Sequence, residues 1–180
     1  MGKGTVESEI KLAVADPDSA RGALRRLGAA MVRARHFEDN LLFDDAQGTL
    51  RASGRVLRIR RAEGAGVVTF KGPREVIEGV KSRPEIETAV PDPDALEAVL
   101  RALGYRSVFR YQKYREVYRW DEVEIVIDET PVGTFFGIEG EVAAVHRAAS
   151  ALGYAPADYL ADSYAALHFA AGGRGDMIFP

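Results

Sequence analysis

Cysteine is absent from this sequence of 180 residues, which excludes disulfide bonds and thiolate metal sites. Any bound metal must therefore be held by carboxylates, imidazoles or water. Histidine is also scarce, and His36, His146 and His168 do not have the spacing of a metal-ligand motif. Carboxylates are therefore the main candidate ligands.

Long apolar segments are missing as well. No run of about 18 apolar residues occurs, and the N-terminus has no apolar segment of the kind found in signal peptides. We therefore expect a soluble, cytoplasmic protein with no membrane partner.

An excess of basic charge is also lacking, since 24 Lys and Arg stand against 27 Asp and Glu, for a net charge of -3. This balance argues against nucleic acid as a partner.

The sequence is instead rich in alternating charge. Glu7, Glu9 and Lys11 are spaced two residues apart, so in an extended strand they project from one face, and Ile10 and Leu12 project from the other. Such a strand either turns its charged face to water or uses it to line an interior. The choice depends on whether other strands repeat the pattern.

Two strand-helix units occur 76 residues apart. Asp16-Pro17-Asp18 and Asp92-Pro93-Asp94 each supply an N-cap, a proline at the first helical position and an acid in the first turn. The first unit predicts a helix over residues 17–27. The same offset places Glu9 on Glu85, which indicates a duplicated architecture.

Further strands with one charged face are predicted along the chain, at about residues 33–43, 55–61, 67–71, 81–87, 111–120, 123–128 and 134–141. Two more helices are predicted at about residues 142–152 and 157–171. Because helices can cover an outer apolar face, the repeated charged faces favour a barrel with a charged lumen over a sheet with one wet side.

Such a lumen would carry both signs of charge. Its basic residues would be Lys11, Arg58, Arg60, Lys71, Arg83, Lys113 and Arg115, and its acidic residues would be Glu7, Glu9, Glu85, Glu87, Asp128 and Glu139. Guanidinium and ammonium groups hold phosphate oxygens, and carboxylates hold hard divalent cations. The pattern therefore suits a polyanion bound together with Mg²⁺, as phosphoryl transfer requires.

An ordered series of motifs carries a resemblance to a known family. The motifs are Glu7-x-Glu9-x-Lys11, Phe43-Asp44, Leu57-Arg58-Ile59-Arg60, Thr69-Phe70-Lys71-Gly72-Pro73, Arg83-x-Glu85-x-Glu87, Lys113-Tyr114-Arg115, Asp128-Glu129, Gly133-x-Phe135-x-x-Ile138-Glu139 and Ser163-Tyr164. Over roughly residues 5–167 the chain resembles the CYTH domain of the triphosphate tunnel metalloenzymes. The resemblance implies an α+β fold with an eight-stranded antiparallel barrel, and a single domain over residues 1–171 followed by a tail at 172–180.

The resemblance also implies a small-molecule triphosphate substrate, Mg²⁺ or Mn²⁺ as cofactor, and roles for the matching residues. Lys11 and Arg58 would be catalytic. The triphosphate would be bound by Lys11, Arg58, Arg60, Lys71, Arg83, Lys113 and Arg115, and the metal by Glu7, Glu9, Asp128 and Glu139, with Glu85 and Glu87 as further acidic positions.

One departure from the family pattern concerns the metal site. Gly137-Ile138-Glu139 stands where many members have Glu-Ile-Glu, so one expected carboxylate is missing and the number of metal ions is open. Glu141 has the right parity to replace it if the strand extends that far.

Three functions are compatible with these features. Hydrolysis of inorganic, thiamine or nucleoside triphosphate is favoured. The alternative is a class IV adenylyl cyclase, which makes cyclic AMP from ATP. Its members carry His-Phe shortly before the opening motif, whereas here His36-Phe37 lies elsewhere. A second alternative is a non-catalytic polyphosphate-binding barrel, which the missing carboxylate at Gly137 supports. The oligomeric state is open, a homodimer included.

Overall fold

A computed structural model describes residues 5–160 and 162–180. The strands are β1 (Thr5–Val14), β2 (Ala30–Asp44), β3 (Val56–Ala62), β4 (Ala65–Lys71), β5 (Glu75–Ile77), β6 (Val80–Val90), β7 (Arg106–Trp120), β8 (Val123–Thr130) and β9 (Gly133–Glu139). The helices are α1 (Pro17–Leu27), α2 (Thr49–Ala52), α3 (Pro93–Ala102), α4 (Val142–Ala151) and α5 (Tyr164–Ala170).

Eight strands close into an antiparallel barrel. Their order is β1-β9-β8-β7-β2-β3-β4-β6, and pairing between β1 and β6 completes the ring. The short strand β5 pairs only with β6 and lies outside the ring. The predicted α+β barrel is confirmed, while β5 and the one-turn helix α2 were not predicted because neither has enough residues to show a periodic pattern.

The predicted helix over residues 17–27 is confirmed by its cap geometry. The Asp16 side chain accepts a hydrogen bond from the backbone N–H of Ser19 at 2.8 Å, and Gly28 ends the helix with φ at 77°. That left-handed conformation costs glycine little, since it has no Cβ. Asp92 caps α3 in the same way, through the backbone N–H of Ala95.

The strand order has an internal two-fold relationship. If β1, β2, β3 and β4 are exchanged with β6, β7, β8 and β9, the ring order is reproduced in reverse, and α1 is exchanged with α3. At the β1–β6 contact, Glu7 pairs directly with Arg83, which lies 76 residues later. The topology thus agrees with the duplicated architecture that the repeated units predict.

The apolar core lies between the barrel wall and the helices. Ile10 and Leu12 point outward from β1 and are packed in one cluster with Leu24 of α1 and Val145 of α4. All four are at most 1% exposed. Burial of this outer face drives the barrel and helices together, and it leaves the charged face of β1 inside the lumen.

The predicted helix over residues 157–171 is wrong in its first half. Pro156–Asp158 forms a 3-10 turn, Leu160 makes a β-bridge to Lys11, and Ser163 caps the shorter helix α5. Pro156 and the capping Ser163 favour interruption of the helix because each supplies a start signal. Residue 161 of the predicted helix and residues 1–4 of the predicted domain lie outside the described residues.

The C-terminal segment follows α5 and packs on β7. The backbone N–H of Met177 donates to the carbonyl of Arg110, and the N–H of Gln112 donates to the carbonyl of Met177, both at 2.9 Å. Met177 is completely buried. Residues 172–180 are therefore joined to the barrel by backbone hydrogen bonds.

Within the described residues, none of the helices has both the length and the apolar composition needed to span a membrane.

Candidate active site

The lumen of the barrel contains a cavity of about 350 Å³. All seven basic residues predicted to bind triphosphate line this cavity, and so do five of the six predicted acidic residues. The lining comprises Glu7, Glu9, Lys11, Leu42, Val56, Arg58, Arg60, Lys71, Arg83, Glu85, Glu87, Phe109, Tyr111, Lys113, Arg115, Glu124, Glu139, Ser163, Tyr164 and Ala165. Asp128 is the predicted acidic residue that is not part of it.

Three carboxylates form a compact group on two neighbouring strands. Glu7 and Glu9 project inward from β1, and Glu139 on β9 pairs directly with Glu9. One carboxylate oxygen from each of these residues lies within 4.8 Å of the other two. We call Glu7, Glu9 and Glu139 the carboxylate triad.

The charge of the triad fits a hard divalent cation. Burial and the neighbouring charges of Glu7 and Glu9 together raise the pKa of Glu139 to about 7, as expected where negative charge is in excess. Among the described residues, Glu139 forms no hydrogen bond or ion pair. Carboxylate oxygens converging in this way are the ligand type that Mg²⁺ and Mn²⁺ prefer, so the residues present fit such an ion.

Glu9 differs from Glu139 because it has cationic neighbours. Burial would raise the pKa of its carboxyl group, but the charges of Lys11, Lys71 and Lys81 outweigh burial and hold that pKa well below its usual range. The Nζ atoms of Lys11 and Lys81 lie 3.3 and 3.8 Å from a Glu9 oxygen. Glu9 is therefore ionised and partly neutralised at neutral pH.

Glu85 and Glu87 on β6 pair with basic residues of the lumen. The Lys71 ammonium lies 2.7 Å from Glu85 and 2.5 Å from Glu7. Burial and a hydrogen bond with Glu7 raise the pKa of Glu85 to about 7. Glu87 lies 3.4 Å from Arg60. Neither carboxylate belongs to the triad, and their predicted metal role stays a prediction.

Asp128 lies behind the cavity wall, surrounded by donors. Its carboxylate accepts hydrogen bonds from Arg115 at 2.7 Å, Lys113 at 3.1 Å and the Tyr164 hydroxyl at 2.7 Å. Burial would raise its pKa, but Arg115 and Lys113 hold it far below its usual range. The structure does not bring Asp128 to the triad, and its predicted metal role stays a prediction.

Arg58 and Arg60 face the triad across the lumen. Both lie on β3, which is four strands from β9 in the ring and therefore on the opposite wall. Arg58 donates to the Tyr111 hydroxyl at 3.3 Å and to Thr69 Oγ1 at 3.1 Å, and its buried Nε has no partner among the described residues. This wall presents guanidinium donors to the cavity.

The remaining basic residues are more strongly engaged with the protein. Lys113 lies between Glu38, at 3.4 Å, and Asp128. Arg83 donates to the backbone carbonyls of Gly72 and Gly54, and so joins the two loops at that edge of the cavity. Its predicted role in triphosphate binding is therefore combined with a structural one.

Four polar residues of this region were given no site role from the sequence, although Tyr164 belongs to the Ser163-Tyr164 motif. Glu38 is 2% exposed among Lys113, Arg60 and His36, and Glu124 lines the cavity on β8. Glu124 lies on the same face of β8 as Asp128, and Glu38 pairs with Lys113; both Asp128 and Lys113 were identified from the sequence. Strict alternation along the strands could therefore have found Glu124 and Glu38. Tyr111 and Tyr164 are the other two.

The structure shows the surroundings of Gly137, where the expected carboxylate is missing. A Cβ at Gly137 would lie 2.7 Å from Val126 Cγ2, so a side chain there would require Val126 to move. The prediction that Glu141 could replace it is not met, because β9 ends at Glu139 and Glu141 is an exposed residue preceding α4.

The family description named CYTH domain matches residues 6–164 of the chain. The chain belongs to the CYTH domain family. A protein of Methanocaldococcus jannaschii, whose name calls it a candidate adenylate cyclase, is 28% identical over 143 residues, which are 79% of this chain and 81% of that protein.

Solved structures of other proteins share the fold of this chain. A candidate adenylate cyclase from Vibrio parahaemolyticus has a TM-score of 0.80 at 20% identity, covering 92% of this chain and 98% of its own. HpAC1 from Hippeastrum, a candidate adenylyl cyclase described as having a dominant triphosphatase activity, has a TM-score of 0.68 at 24% identity, covering 93% and 97%. The descriptions of these similar proteins thus include both adenylate cyclase and triphosphatase activity.

Proposed function

We propose that this CYTH domain hydrolyses a triphosphate with the help of Mg²⁺ or Mn²⁺. The observation that carries the proposal is the arrangement of charge: the carboxylate triad faces Arg58 and Arg60 across one cavity. A polyphosphate bound with a divalent cation would compensate the charges on both sides of the cavity. Its oxygens would accept hydrogen bonds from the guanidinium groups, and the carboxylates would hold the cation.

The basic residues would hold and orient the phosphate chain. Arg58 and Arg60 present planar donors suited to two phosphate oxygens, and Lys71 adds an ammonium on the adjacent strand β4. Because little covalent chemistry is asked of the protein in phosphoryl transfer, positioning and charge neutralisation supply most of the rate enhancement.

The carboxylate triad would hold the cation. When bound there, Mg²⁺ or Mn²⁺ neutralises phosphate charge and orients the attacking water. Lys11 projects from the same strand and lies beside Glu9, so its ammonium can donate to an oxygen of the transferred phosphoryl group. The Tyr164 ring, 5.3 Å from Lys11 Nζ, restricts the position of this side chain.

Cyclisation of ATP is the second candidate reaction. It is favoured by the M. jannaschii relative, whose name indicates an adenylate cyclase. The triphosphatase activity described for HpAC1 favours hydrolysis, although that protein shares the fold at 24% identity. Both reactions need the same cation and phosphate positions, and they differ in whether water or the ribose 3′-oxygen attacks.

The test is a substrate panel of inorganic triphosphate, thiamine triphosphate, ATP and pyrophosphate, each with Mg²⁺, Mn²⁺ or EDTA. Phosphate release and cyclic AMP are both measured. We expect metal-dependent phosphate release from at least one triphosphate, with little from pyrophosphate. Cyclic AMP without phosphate release would favour the cyclase, and metal binding without any turnover would favour the non-catalytic polyphosphate-binding barrel.

A further inference from the structure

Two tyrosines line the cavity, and their hydroxyl groups are used differently. The Tyr164 hydroxyl donates a hydrogen bond to the carboxylate of Asp128 at 2.7 Å. The Tyr111 hydroxyl instead accepts one, from Nη1 of Arg58 at 3.3 Å, because a guanidinium group can only donate. Among the described residues, no group accepts the proton of the Tyr111 hydroxyl.

The unused proton of Tyr111 is a donor at the cavity wall. The side chain lines the cavity, yet the residue is only 8% exposed. A donor in such a place is unfavourable unless a ligand or a water molecule accepts from it. The hydroxyl is therefore available to a bound ligand that carries an acceptor.

The surroundings of this hydroxyl favour an anionic acceptor. Arg58 lies within hydrogen-bond distance, and Lys113 follows two residues later on the same face of β7. Burial alone would raise the pKa of the hydroxyl, but the charges of Arg58 and Lys113 outweigh burial and the opposing charge of Glu38, and they lower it. Hydrogen bonds from such a donor to a charged oxygen are stronger than those to a neutral one.

The ring that carries the hydroxyl is fixed by its neighbours. Tyr111 packs in one cluster with Phe109, Tyr164 and the completely buried Met177. The ring centroids of Phe109 and Tyr164 lie 6.2 and 6.4 Å from that of Tyr111. The backbone N–H of Gln112 also donates to the carbonyl of Met177, which joins the C-terminal segment to β7 at this point. A donor on a fixed ring loses little conformational freedom when it binds a ligand.

We infer that Tyr111 is a substrate-binding residue whose hydroxyl donates a hydrogen bond to a phosphate oxygen held beside Arg58. The inference rests on the proposed function, because Arg58 is one of the residues proposed to hold the triphosphate. In this arrangement the hydroxyl oxygen accepts from the guanidinium group while its proton is donated to the phosphate. Tyr111 and Arg58 then contact the same anion from β7 and β3.

The test is Tyr111→Phe, measured by calorimetric titration with Mg²⁺ and a non-hydrolysable imido analogue of triphosphate. Phenylalanine keeps the packed ring and removes only the hydroxyl. We expect the dissociation constant of the analogue to rise on the order of tenfold. Tyr118→Phe is the matched control and should leave it unchanged. Tyr118 is also buried on β7, but its hydroxyl donates to Glu116 and its ring packs in the outer core.

A double-mutant cycle separates direct contact from mere orientation of Arg58. If Tyr111 acted only by orienting the guanidinium group, Tyr111→Phe would have no effect once Arg58→Met had removed that group. We expect Tyr111→Phe to weaken binding of the analogue several-fold in the Arg58→Met protein as well. Circular dichroism checks the fold of each variant, and Arg58→Leu replaces Arg58→Met if the latter does not fold.

The outcomes distinguish this inference from the proposed function. An unchanged dissociation constant in Tyr111→Phe, or a loss that disappears in the Arg58→Met protein, would overturn the inference and leave the proposed function intact. No binding of the analogue by the unaltered protein, together with no metal-dependent turnover, would overturn both.

Discussion

Two walls of the lumen carry carboxylates, which are buried on one wall and half-buried on the other, and their charges are compensated differently. On the wall formed by β2, β7 and β8, Glu38 and Asp128 are at most 2% exposed and surround Lys113, with Arg115 bound to Asp128. On the wall formed by β1, β9 and β8, Glu139 and Glu124 form no hydrogen bond or ion pair among the described residues, and burial with the charges of Glu7 and Glu9 outweighs the effect of Arg115 and Lys71 on the pKa of Glu139. The first wall is neutralised within the protein, and the second is suited to neutralisation by a ligand.

The comparison teaches how the charges around a carboxylate of the lumen set its pKa. The charges of Lys113, Arg115 and Arg60 hold the pKa of Glu38 at about 2 despite burial. On the other wall, burial and the charge of Glu7 raise the pKa of Glu139 to about 7. Substitutions on the two walls should therefore affect different properties.

The largest effect is expected from Asp128→Asn on the neutralised wall. The variant leaves Lys113 and Arg115 without their common carboxylate, which should lower the free energy of unfolding by about 3–5 kcal/mol. Urea denaturation measures this change. Asp94→Asn is the control, because Asp94 is 87% exposed and pairs with Arg61 at the surface, where a loss of at most about 1 kcal/mol is expected. Equal losses would contradict the assignment.

Arg58→Lys should have a smaller effect, confined to substrate binding. Lysine keeps the charge but loses the planar pair of donors that faces the triad, so the KM for the triphosphate should rise on the order of tenfold. Steady-state kinetics measures the change, and the exposed Arg55→Lys is the control. An unchanged KM would show that Arg58 does not contact the phosphates.

A weaker effect is expected from pH in the metal-free protein. Glu139 and Glu85 both have pKa values raised to about 7, from 4.5 when unperturbed. Between about pH 4.5 and 7 the folded state therefore binds more protons than the unfolded state, so the free energy of unfolding falls as pH rises through this range. Thermal denaturation measures this fall.

Two additions sharpen the pH experiment. Excess Mg²⁺ should restore stability at pH 8, because the ion replaces the lost proton. Glu139→Gln, which cannot ionise, should reduce the slope of stability against pH. A metal-free protein whose stability rises steadily from pH 5 to 8 would contradict the excess of negative charge on the wall formed by β1, β9 and β8.

The smallest effect is expected from Glu141→Gln. Glu141 is exposed, makes no side-chain hydrogen bond at the start of α4 and lies beyond the end of β9. Stability should change by less than about 0.5 kcal/mol, and turnover should be unchanged. Loss of turnover in this variant would show that the wall formed by β1, β9 and β8 contributes to the site beyond the end of β9.

Much of this architecture was readable from the sequence, because the signals are local. Alternating charge placed Glu7, Glu9 and Lys11 on one face of β1, and the Asp16 cap located α1. The pairing of charges was not readable, since it depends on register between distant strands. Asp128 therefore looked equivalent to Glu139, although its carboxylate accepts hydrogen bonds from Arg115 and Lys113.

The wall formed by β1, β9 and β8 shows the same limit of prediction from the sequence. The motif comparison pointed to a missing carboxylate at Gly137 and to Glu141 as its replacement. Only the register of β8 against β9 shows that Glu124 faces Glu139 and that Val126 fills the space beside Gly137. Strand register, and not distance along the chain, decides which carboxylates lie beside one another in the lumen.

The most direct test of the account is phosphate release from triphosphate by the unaltered protein and by Glu9→Gln, each with Mg²⁺ and with EDTA. Glu122→Gln serves as the control. We predict metal-dependent release that falls about 100-fold or more in Glu9→Gln, comparable to the loss of one key electrostatic group, with no fall in the control. Undiminished release in EDTA, or full activity of Glu9→Gln, would contradict the role of the carboxylate triad.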